Sequence, residues 1–379
     1  MVVLIVANGV PDGAKSLDGI FEFDQARALT EEGESVIFFG VDLRSIRHKR
    51  KLGISKGVKG GVKWYRIAIP LGNIPLTWLC KIGTQGLLYL YRKVFGTQGS
   101  PDIIHAHFTE PGYMASILAK KYNIPLVITE HSSQIMKCPL KKGLFKIAKS
   151  AYGSANQIIT VSTALSSKIN HDYGYSTIVI SNIIDTALFS KVQFTEHQGF
   201  NVVVVAGLVE GKRIDRLIDA LTVLSKKIPE ISLHIVGDGP LREQLEGKVS
   251  KLLIRDNIKF YGSLARKEIA EVFSICDCFA LLSAAETFGV VYVEAMAAGL
   301  PVIGTRCGGP EDFVNEENGI LVGVDNVKAA ADAIEYVYMH RNIYQSGVIK
   351  AYARDHFSPK YIASQIINIY NSVLSNGKG

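Results

Sequence analysis

Short apolar runs alternate with stretches of helical period along nearly the whole chain, and this alternation starts twice. Runs such as residues 2–7 (VVLIVA) and 35–40 (SVIFFG) are too short for typical helices and are continuously apolar. Strands buried on both faces have this composition, because helices cover both faces of a parallel sheet. The pattern therefore predicts an α/β fold with parallel sheets.

The first series fills the first half of the chain. Its predicted strands are residues 2–7, 35–40, 62–69, 102–107, 125–130, 157–162 and 177–181. Its predicted helices are residues 19–32, 78–94, 111–120, 140–152 and 163–172. Ligands of such sheets bind outside the carboxyl ends of the strands, so we expect functional residues there.

The second series follows a polar, non-periodic stretch at 186–200, which we interpret as a linker. Its predicted strands are residues 201–206, 232–236, 258–261, 278–282 and 301–304. We therefore predict one domain at 1–185, a second at 186–358, and a helix within 359–379 that packs back on the first domain. Both domains are expected to be Rossmann-like and to face each other across a cleft.

Charge and cysteine content narrow the class of protein. Residues 1–185 hold 22 Lys and Arg against 13 Asp and Glu, whereas the remainder holds 20 against 22. The five cysteines are scattered and lack histidines at metal-ligand spacing, which argues against a disulfide framework or a zinc site. A short apolar start without a basic region predicts a first strand and not a signal peptide, and no run reaches about 18 apolar residues. We expect a cytoplasmic protein.

Two glycine-containing loops follow strands in the second domain. Val236 to Pro240 (VGDGP) offers close backbone approach and a helix start, but it lacks the third glycine of the dinucleotide fingerprint, so a plain strand-to-helix turn is an equal interpretation. Ser283 to Val290 (SAAETFGV) leads into a helix predicted to begin near Phe288. Free amides at such a helix start suit a phosphate.

Glu286 and Glu294 bracket this helix start. In one regular helix, eight steps would leave their side chains roughly 80° apart, too far for a shared ligand. The loop supplies the bend that a functional pair requires. The alternative is one loop charge and one solvated helix charge.

Residues 281–314 (LLSAAETFGVVYVEAMAAGLPVIGTRCGGPEDFV) resemble the signature of the retaining glycosyltransferases of the GT-B fold, the glycosyl transferases group 1 family that includes glycogen and sucrose synthases. TEHSS at 129–133, ISNIIDTALF at 180–189, VGDGP, and GIFEFDQARAL at 19–29 are similar to the family pattern in the same order. The resemblance thus covers most of the chain. It implies an acceptor domain followed by a nucleotide-sugar donor domain.

The resemblance also implies roles for individual residues. Glu286 would contact the donor sugar, Glu294 the ribose, and the amides of Phe288, Gly289 and Val290 the diphosphate. Gly237 would lie in the donor site and Lys212 would contact the phosphates. The sequence contains no Asp-x-Asp motif, so we expect basic side chains and no metal to neutralise the leaving group, with no cofactor besides the donor.

Two positions depart from the family pattern. Gly207 stands where the family usually has an arginine beside the lysine, and Arg213 stands where it often has glycine. We hypothesise that Arg213, or a basic side chain from elsewhere, supplies the second charge. A solvent-facing arginine is the alternative.

The first domain contributes further candidates. His131 matches the family histidine that faces the donor sugar, and Gly19 resembles the loop beneath the diphosphate and acceptor. His105 and His107 lie two residues apart on one predicted strand. We expect them to point to opposite faces, with one buried, and assign neither to catalysis.

Basic and aromatic residues concentrate in this domain as well. The clusters are Arg44, Arg47, Lys49, Arg50, Lys51, Lys56, Lys59 and Lys63, and Lys137, Lys141, Lys142, Lys146 and Lys149. Between them, residues 74–95 mix aromatic, aliphatic and cationic side chains as interfacial segments do. This favours a peripheral position on an anionic, cytosolic membrane face; a buried helix beside a solvated basic loop is the alternative, and no nucleic-acid module accompanies the charge.

The resemblance implies transfer of a hexosyl group from a nucleoside diphosphate sugar, UDP being the commoner nucleotide, to a glycan or lipid-linked acceptor, as in surface polysaccharide or glycolipid assembly. Retention of configuration would then follow a same-face route, in which the departing diphosphate helps deprotonate the acceptor. The alternatives are a nucleotide-sugar epimerase, which needs no acceptor, and a catalytically impaired nucleotide-sugar binder.

Overall fold

A computed structural model describes residues 1–11, 19–44, 52–72, 74–96, 99–137 and 139–376. The chain divides into two units: Met1–Ile183 with Pro359–Gly379, and Ile184–Ser358. The final helix, α13 (Pro359–Asn376), therefore belongs to the first unit, where Ile362, Ile366 and Tyr370 join its hydrophobic core.

The first unit is built on an eight-stranded sheet of order β3-β4-β2-β1-β5-β6-β7-β8. Its strands are β1 (Val2–Ala7), β2 (Ser35–Asp42), β3 (Gly53–Lys59), β4 (Val62–Ala68), β5 (Ile103–His107), β6 (Leu126–Glu130), β7 (Gln157–Thr160) and β8 (Ile178–Val179). Its other helices are α1 (Ile20–Glu31), α2 (Leu76–Phe95), α3 (Thr109–Tyr122), α4 (Lys142–Tyr152) and α5 (Thr163–Tyr173). The continuous apolar runs form the central strands, which are almost fully buried, as the pattern predicted.

The strand β3 was not predicted, because its sequence, GISKGVK, was interpreted as part of a basic loop. It pairs antiparallel with β4, whereas the other neighbouring strands of this sheet are parallel. Gly60 and Gly61 join the two strands with φ of 53° and 78°, as a two-residue hairpin of type I′ requires. Two consecutive glycines between runs that alternate apolar and polar residues were the sequence signal that could have predicted this hairpin.

The second unit is built on a six-stranded parallel sheet of order β11-β10-β9-β12-β13-β14. Its strands are β9 (Phe200–Val205), β10 (Ile231–Val236), β11 (Ile258–Gly262), β12 (Cys278–Ala280), β13 (Val302–Thr305) and β14 (Gly319–Val322). Its helices are α6 (Thr186–Phe189), α7 (Ile214–Leu224), α8 (Arg242–Val249), α9 (Arg266–Phe273), α10 (Val290–Ala298), α11 (Val327–Met339) and α12 (Ser346–Phe357), with single 3-10 turns at Glu210–Lys212, Arg255–Asn257 and Gly309–Asp312. The short edge strand β14 was not predicted, and the predicted linker begins with α6, whose Phe189 is fully buried.

Candidate functional site

Glu286 lies on the loop between β12 and α10, at the carboxyl edge of the second sheet. Its backbone is fixed from both sides, since its N–H donates to the carbonyl of Cys307 at 3.1 Å and its carbonyl accepts from the N–H of Gly309 at 2.9 Å. A Cβ at Gly309 would lie 2.3 Å from the Cα of Phe288, so only glycine permits this close approach. The loop is therefore held in one conformation beside the turn that follows β13.

The carboxylate of Glu286 is nearly buried and accepts two hydrogen bonds at one oxygen. Lys212 Nζ lies 2.6 Å from Oε1, and the Ser283 hydroxyl donates to the same atom at 2.7 Å. The backbone also joins the two loops, because the N–H of Ala284 donates to the carbonyl of Gly211 at 2.8 Å. The structure thus brings together Lys212 and Glu286, which lie 74 residues apart in sequence.

Arg213 does not join this cluster. Its guanidinium donates from Nε to Asp325 Oδ1 at 2.9 Å and from Nη1 to the carbonyl of Glu210 at 3.1 Å. Its φ is 52°, in the left-handed region, which agrees with the glycine that the family often has here. A Cβ added at Gly207 would lie 4.0 Å from the carbonyl oxygen of Asp238. Crowding at this distance does not explain why the chain lacks the family arginine here.

Glu294 is the fifth residue of α10 and is also nearly buried, so it is not the solvated helix charge of the alternative interpretation. Arg266, at the start of α9, places Nε 3.4 Å from its Oε1. The two carboxylates therefore have different cationic partners, and the loop supplies the bend between them. Sequence analysis did not identify Arg266, because nothing local marks it as a partner of α10.

The start of α10 depends on glycine. Gly289 precedes the helix with a φ of 98°, and the helix begins at Val290, two residues later than predicted. The side chain of Phe288 is buried against Phe313, at a ring-centroid distance of 5.2 Å. The groups that this segment offers to a ligand are thus backbone amides, since the first N–H groups of a helix lack intrahelical acceptors.

Gly237 follows β10 with a φ of 132°, and a Cβ there would lie 1.9 Å from the carbonyl oxygen of Ala206. Its N–H donates to the carbonyl of Gly262 at 2.8 Å. Gly237 therefore permits close packing of backbone at the strand ends, and its place in a donor site stays a prediction.

His131 follows β6 in the first unit and is the half-buried end of a chain of three imidazoles. Its Nε2 lies 3.0 Å from His107 Nδ1, and the rings of His107 and His105 stack with centroids 4.5 Å apart. The expectation that His105 and His107 point to opposite faces was wrong, because strand side chains alternate and residues i and i+2 share a face. Both are fully buried.

Burial disfavours the charged form of these imidazoles. It lowers the pKa of His105 to about 3 and that of His131 to about 4, and it lowers the pKa of His107 well below its ordinary value. A hydrogen bond with Asn182 opposes the shift of His131. All three rings are therefore neutral at pH 7.

Glu130 was quoted in the TEHSS motif but not recognised as a functional candidate. Its carboxylate is fully buried and accepts four hydrogen bonds, from the N–H groups of His131 and Ser132 and the hydroxyls of Thr109 and Tyr152, at 2.6 to 3.0 Å. Burial raises its pKa to about 7, although these hydrogen bonds act in the opposite direction. Glu130 thereby fixes the backbone that carries His131.

Gly19 precedes α1 in the same unit. Its φ is 71°, and a Cβ there would lie 2.6 Å from the carbonyl oxygen of Gly9, so the turn requires glycine. The structure places it at a helix start, as the sequence predicted.

The basic and aromatic segments of the first unit are partly described. Residues 45–51, with Arg47, Lys49, Arg50 and Lys51, lie outside the described residues. The helix α2 buries one face and exposes a stripe that carries aromatic and cationic side chains with no acidic one: Trp78, Lys81, Gln85, Tyr89, Arg92 and Lys93. The lysines of the second cluster are exposed around α4.

Two general properties concern metals and membranes. Within the described ranges, no group of three His, Cys, Asp or Glu side chains has an arrangement that could hold a metal ion. None of the helices in those ranges combines the length and apolar character needed to cross a bilayer.

The sequence matches two family models and is similar to known proteins. The family model of glycosyl transferases group 1 matches residues 187–354, and that of glycosyltransferase family 4 matches residues 23–188. The Bacillus subtilis protein TuaC is 29% identical to this chain over 373 residues, and the match covers 92% of both chains. TuaC is named as a glycosyltransferase of teichuronic acid biosynthesis.

Solved structures show the same fold. Sucrose-phosphate synthase from Thermosynechococcus elongatus superposes with a TM-score of 0.82 at 20% identity, covering 99% of both chains. Anabaena HepE in complex with UDP-glucose gives a TM-score of 0.74 at 22% identity, covering 98% of this chain and 100% of that one. This chain is thus a glycosyltransferase that has the GT-B fold and belongs to the glycosyl transferases group 1 family.

Proposed function

We propose that this protein transfers a hexosyl group, with retention of anomeric configuration, from a nucleoside diphosphate sugar to a hydroxyl of a glycan or lipid-linked acceptor. The observation that carries the proposal is the contact of Lys212 with Glu286 beside the start of α10. It places a carboxylate, which suits the sugar hydroxyls, beside a cation and a set of helix amides, which suit the diphosphate.

The donor would be bound by groups of opposite character. Glu294 accepts hydrogen bonds from the ribose hydroxyls, since a carboxylate is an acceptor at both oxygens. The amides of Gly289 and Val290 donate to the diphosphate at the helix start, where the helix dipole favours negative charge. UDP is the favoured nucleotide, and the complex of HepE with UDP-glucose supports this choice.

Lys212 would neutralise the leaving group as the glycosidic bond breaks. A preorganised cation stabilises charge that develops only in the transition state, so it acts on turnover more than on binding. The absence of an Asp-x-Asp sequence supports a route that does not need a metal. Arg213 is the proposed second cation, and it would have to exchange its bond with Asp325 for one with the phosphate.

Retention would follow a same-face route. The bond between the anomeric carbon and the diphosphate oxygen breaks, the acceptor oxygen bonds to the same face, and the acceptor proton passes to the departing diphosphate. Glu286 and the neutral His131 would orient the sugar through its hydroxyls, while Gly19 leaves room for backbone beneath the diphosphate and acceptor.

We propose that the first unit binds its acceptor at an anionic membrane surface that faces the cytosol. Trp78 is 60% exposed and Tyr89 50%, and Lys81 and Lys93 lie over these two rings. Aromatic and cationic side chains in one stripe are typical of interfacial helices. The name of TuaC supports an acceptor in surface polysaccharide assembly.

Flotation with vesicles tests the membrane part. We expect co-flotation with vesicles that contain anionic lipid at low salt, weakened in the double variant Trp78→Ala, Tyr89→Ala. Lys227→Ala, which changes an exposed lysine of the second unit, is the matched control. Failure of the wild type to co-float would contradict the membrane assignment.

A product assay tests the catalytic part. Nucleoside diphosphate release from UDP-sugars is followed with and without a membrane-lipid extract or glycan as acceptor, and the anomeric configuration of the product is read by NMR. We expect release that depends on the acceptor and an α-configured product from an α-configured donor. Conversion of the UDP-sugar without an acceptor would instead indicate an epimerase, and tight binding without transfer an impaired binder.

A further inference from the structure

A buried polar network extends from the C-terminal helix α13 to His131 within the first unit. Tyr370 of α13 lies 2.6 Å from His105 Nδ1, and His105 Nε2 lies 2.6 Å from the hydroxyl of Thr129. Gln25 of α1 reaches both His105 and His107, and His107 alone of these side chains has a hydrogen bond described with His131. The network gives each ring a defined set of neighbours.

The neutral state of the rings restricts the hydrogen bonds that they can form. A neutral imidazole has one N–H donor and one acceptor nitrogen, so fixing the role of one nitrogen fixes the role of the other. Because burial lowers the pKa of all three imidazoles, this restriction holds at pH 7. The direction of the chain then depends on one neighbour whose role is unambiguous.

Gln25 provides that direction. Its amide nitrogen, which only donates, lies 3.4 Å from His107 Nε2 and 3.2 Å from His105 Nδ1. His107 Nε2 is therefore an acceptor, and the proton of His107 lies on Nδ1. That N–H points at His131 Nε2, at a distance of 3.0 Å.

We propose that His107 is a positioning residue, which donates to Nε2 of His131 and so holds His131 as the tautomer that is protonated at Nδ1. Asn182 also hydrogen-bonds His131, and since Nε2 is occupied, that contact falls to Nδ1. A ligand that displaces Asn182 from Nδ1 then meets a hydrogen-bond donor and not a base. This inference rests on the proposed function in one respect only, namely that the ligand of His131 is the donor sugar.

The tautomer is measured directly by NMR on protein labelled with 15N-histidine, because the 15N shifts and couplings show which ring nitrogen carries the proton. His131→Asn identifies the signals of His131. We expect His131 to be protonated at Nδ1 in the wild type and in His107→Asn, whose side-chain amide nitrogen occupies the position of Nδ1. His107→Leu should give a mixture of both tautomers.

His105→Asn is the matched control, since His105 is equally buried but has no described hydrogen bond with His131. We expect it to leave the tautomer of His131 unchanged. Thermal unfolding of each variant checks that it folds. A wild-type proton on Nε2, or a His131 that stays fully protonated at Nδ1 in His107→Leu, would overturn the proposal.

Kinetics test the consequence for transfer. We expect kcat/KM to fall about tenfold in His107→Leu and to stay within about threefold of the wild type in His107→Asn. An altered tautomer with unaltered kcat/KM would overturn the positioning role. If no nucleoside diphosphate sugar is turned over at all, the proposed function fails, whereas the tautomer measurement still decides the structural assignment.

Discussion

The two units hold their functional side chains in opposite electrostatic states. In the second unit, each nearly buried carboxylate is paired with a cation, Glu286 with Lys212 and Glu294 with Arg266. In the first unit, His131 belongs to a network of neutral rings, hydroxyls and an amide, and burial keeps those rings uncharged.

This difference teaches what each unit contributes. In the proposed mechanism, the carboxylates of the second unit accept hydrogen bonds from ribose and sugar hydroxyls, whereas the neutral network of the first unit orients a group without adding charge. The predictions below would weaken or sharpen this contrast between a charged site and a neutral one.

The largest effect is expected at Lys212. Replacing it with Ala removes the cation 2.6 Å from Glu286, and we expect kcat to fall about 10²- to 10³-fold, because charge on the leaving group would lose its partner. Lys212→Arg should restore part of the rate. Lys227→Ala, which breaks an exposed ion pair with Glu335, is the control and should leave turnover unchanged. Unchanged turnover in Lys212→Ala would remove the charged site from the mechanism.

The neutral network predicts a loss of stability in acid. The folded pKa values of His105 and His131, about 3 and 4, lie below an unfolded value of about 6.5, so their contribution is present above pH 6.5 and is lost as the pH falls towards 4. Glu130, with a raised pKa of about 7, and Glu110, whose pKa burial also raises, act in the opposite direction. Because three imidazoles oppose these two carboxyl groups, we expect a net loss of stability between pH 6.5 and 4.5.

Both tryptophans, Trp64 and Trp78, lie in the first unit, so urea unfolding followed by their fluorescence reports on that unit. Glu130→Gln should make the loss in acid steeper, since it removes one of the opposing groups. A first unit that is more stable at pH 4.5 than at pH 6.5 would contradict the neutral network.

Much of the fold and of the charged site was predictable, because the information is local. Strand runs, the loop at 283–290 and the bend between Glu286 and Glu294 lie within short contiguous segments. The neutral network was not predictable, since Gln25, His105 and Tyr370 come from elements far apart in sequence and meet only when α1 and α13 pack beside β5. The error on His105 and His107 was one of strand period, and the missed β3 left a signal at Gly60 and Gly61.

A moderate effect is expected from restoring an arginine at position 207. The surroundings of Gly207 leave room, with the nearest contact of a Cβ at 4.0 Å. We expect Gly207→Arg to raise donor affinity about three- to tenfold, because a guanidinium forms paired hydrogen bonds with phosphate oxygens. Titration calorimetry with UDP measures it, and Gly207→Ala is the matched control. Unchanged or weaker binding by Gly207→Arg would contradict this prediction.

The smallest effect is expected at Arg213. Its exchange from Asp325 to a phosphate replaces one ion pair with another, so we expect Arg213→Ala to lower kcat by about threefold. Turnover assays with Arg213→Lys in parallel separate the loss of charge from the loss of the fork geometry. An Arg213→Ala variant with full turnover would remove Arg213 from the donor site.

The central claim, that the charged site of the second unit binds a nucleoside diphosphate sugar, is tested most directly by thermal unfolding with a panel of UDP-, GDP- and ADP-sugars. A ligand that binds only the folded protein stabilises it by about 2.7 kcal/mol at a hundred times its Kd. We predict that one nucleotide class, UDP, raises the Tm of the wild type and that Glu294→Gln loses most of this shift. No shift with any nucleotide sugar, or an equal shift in Glu294→Gln, would contradict the account.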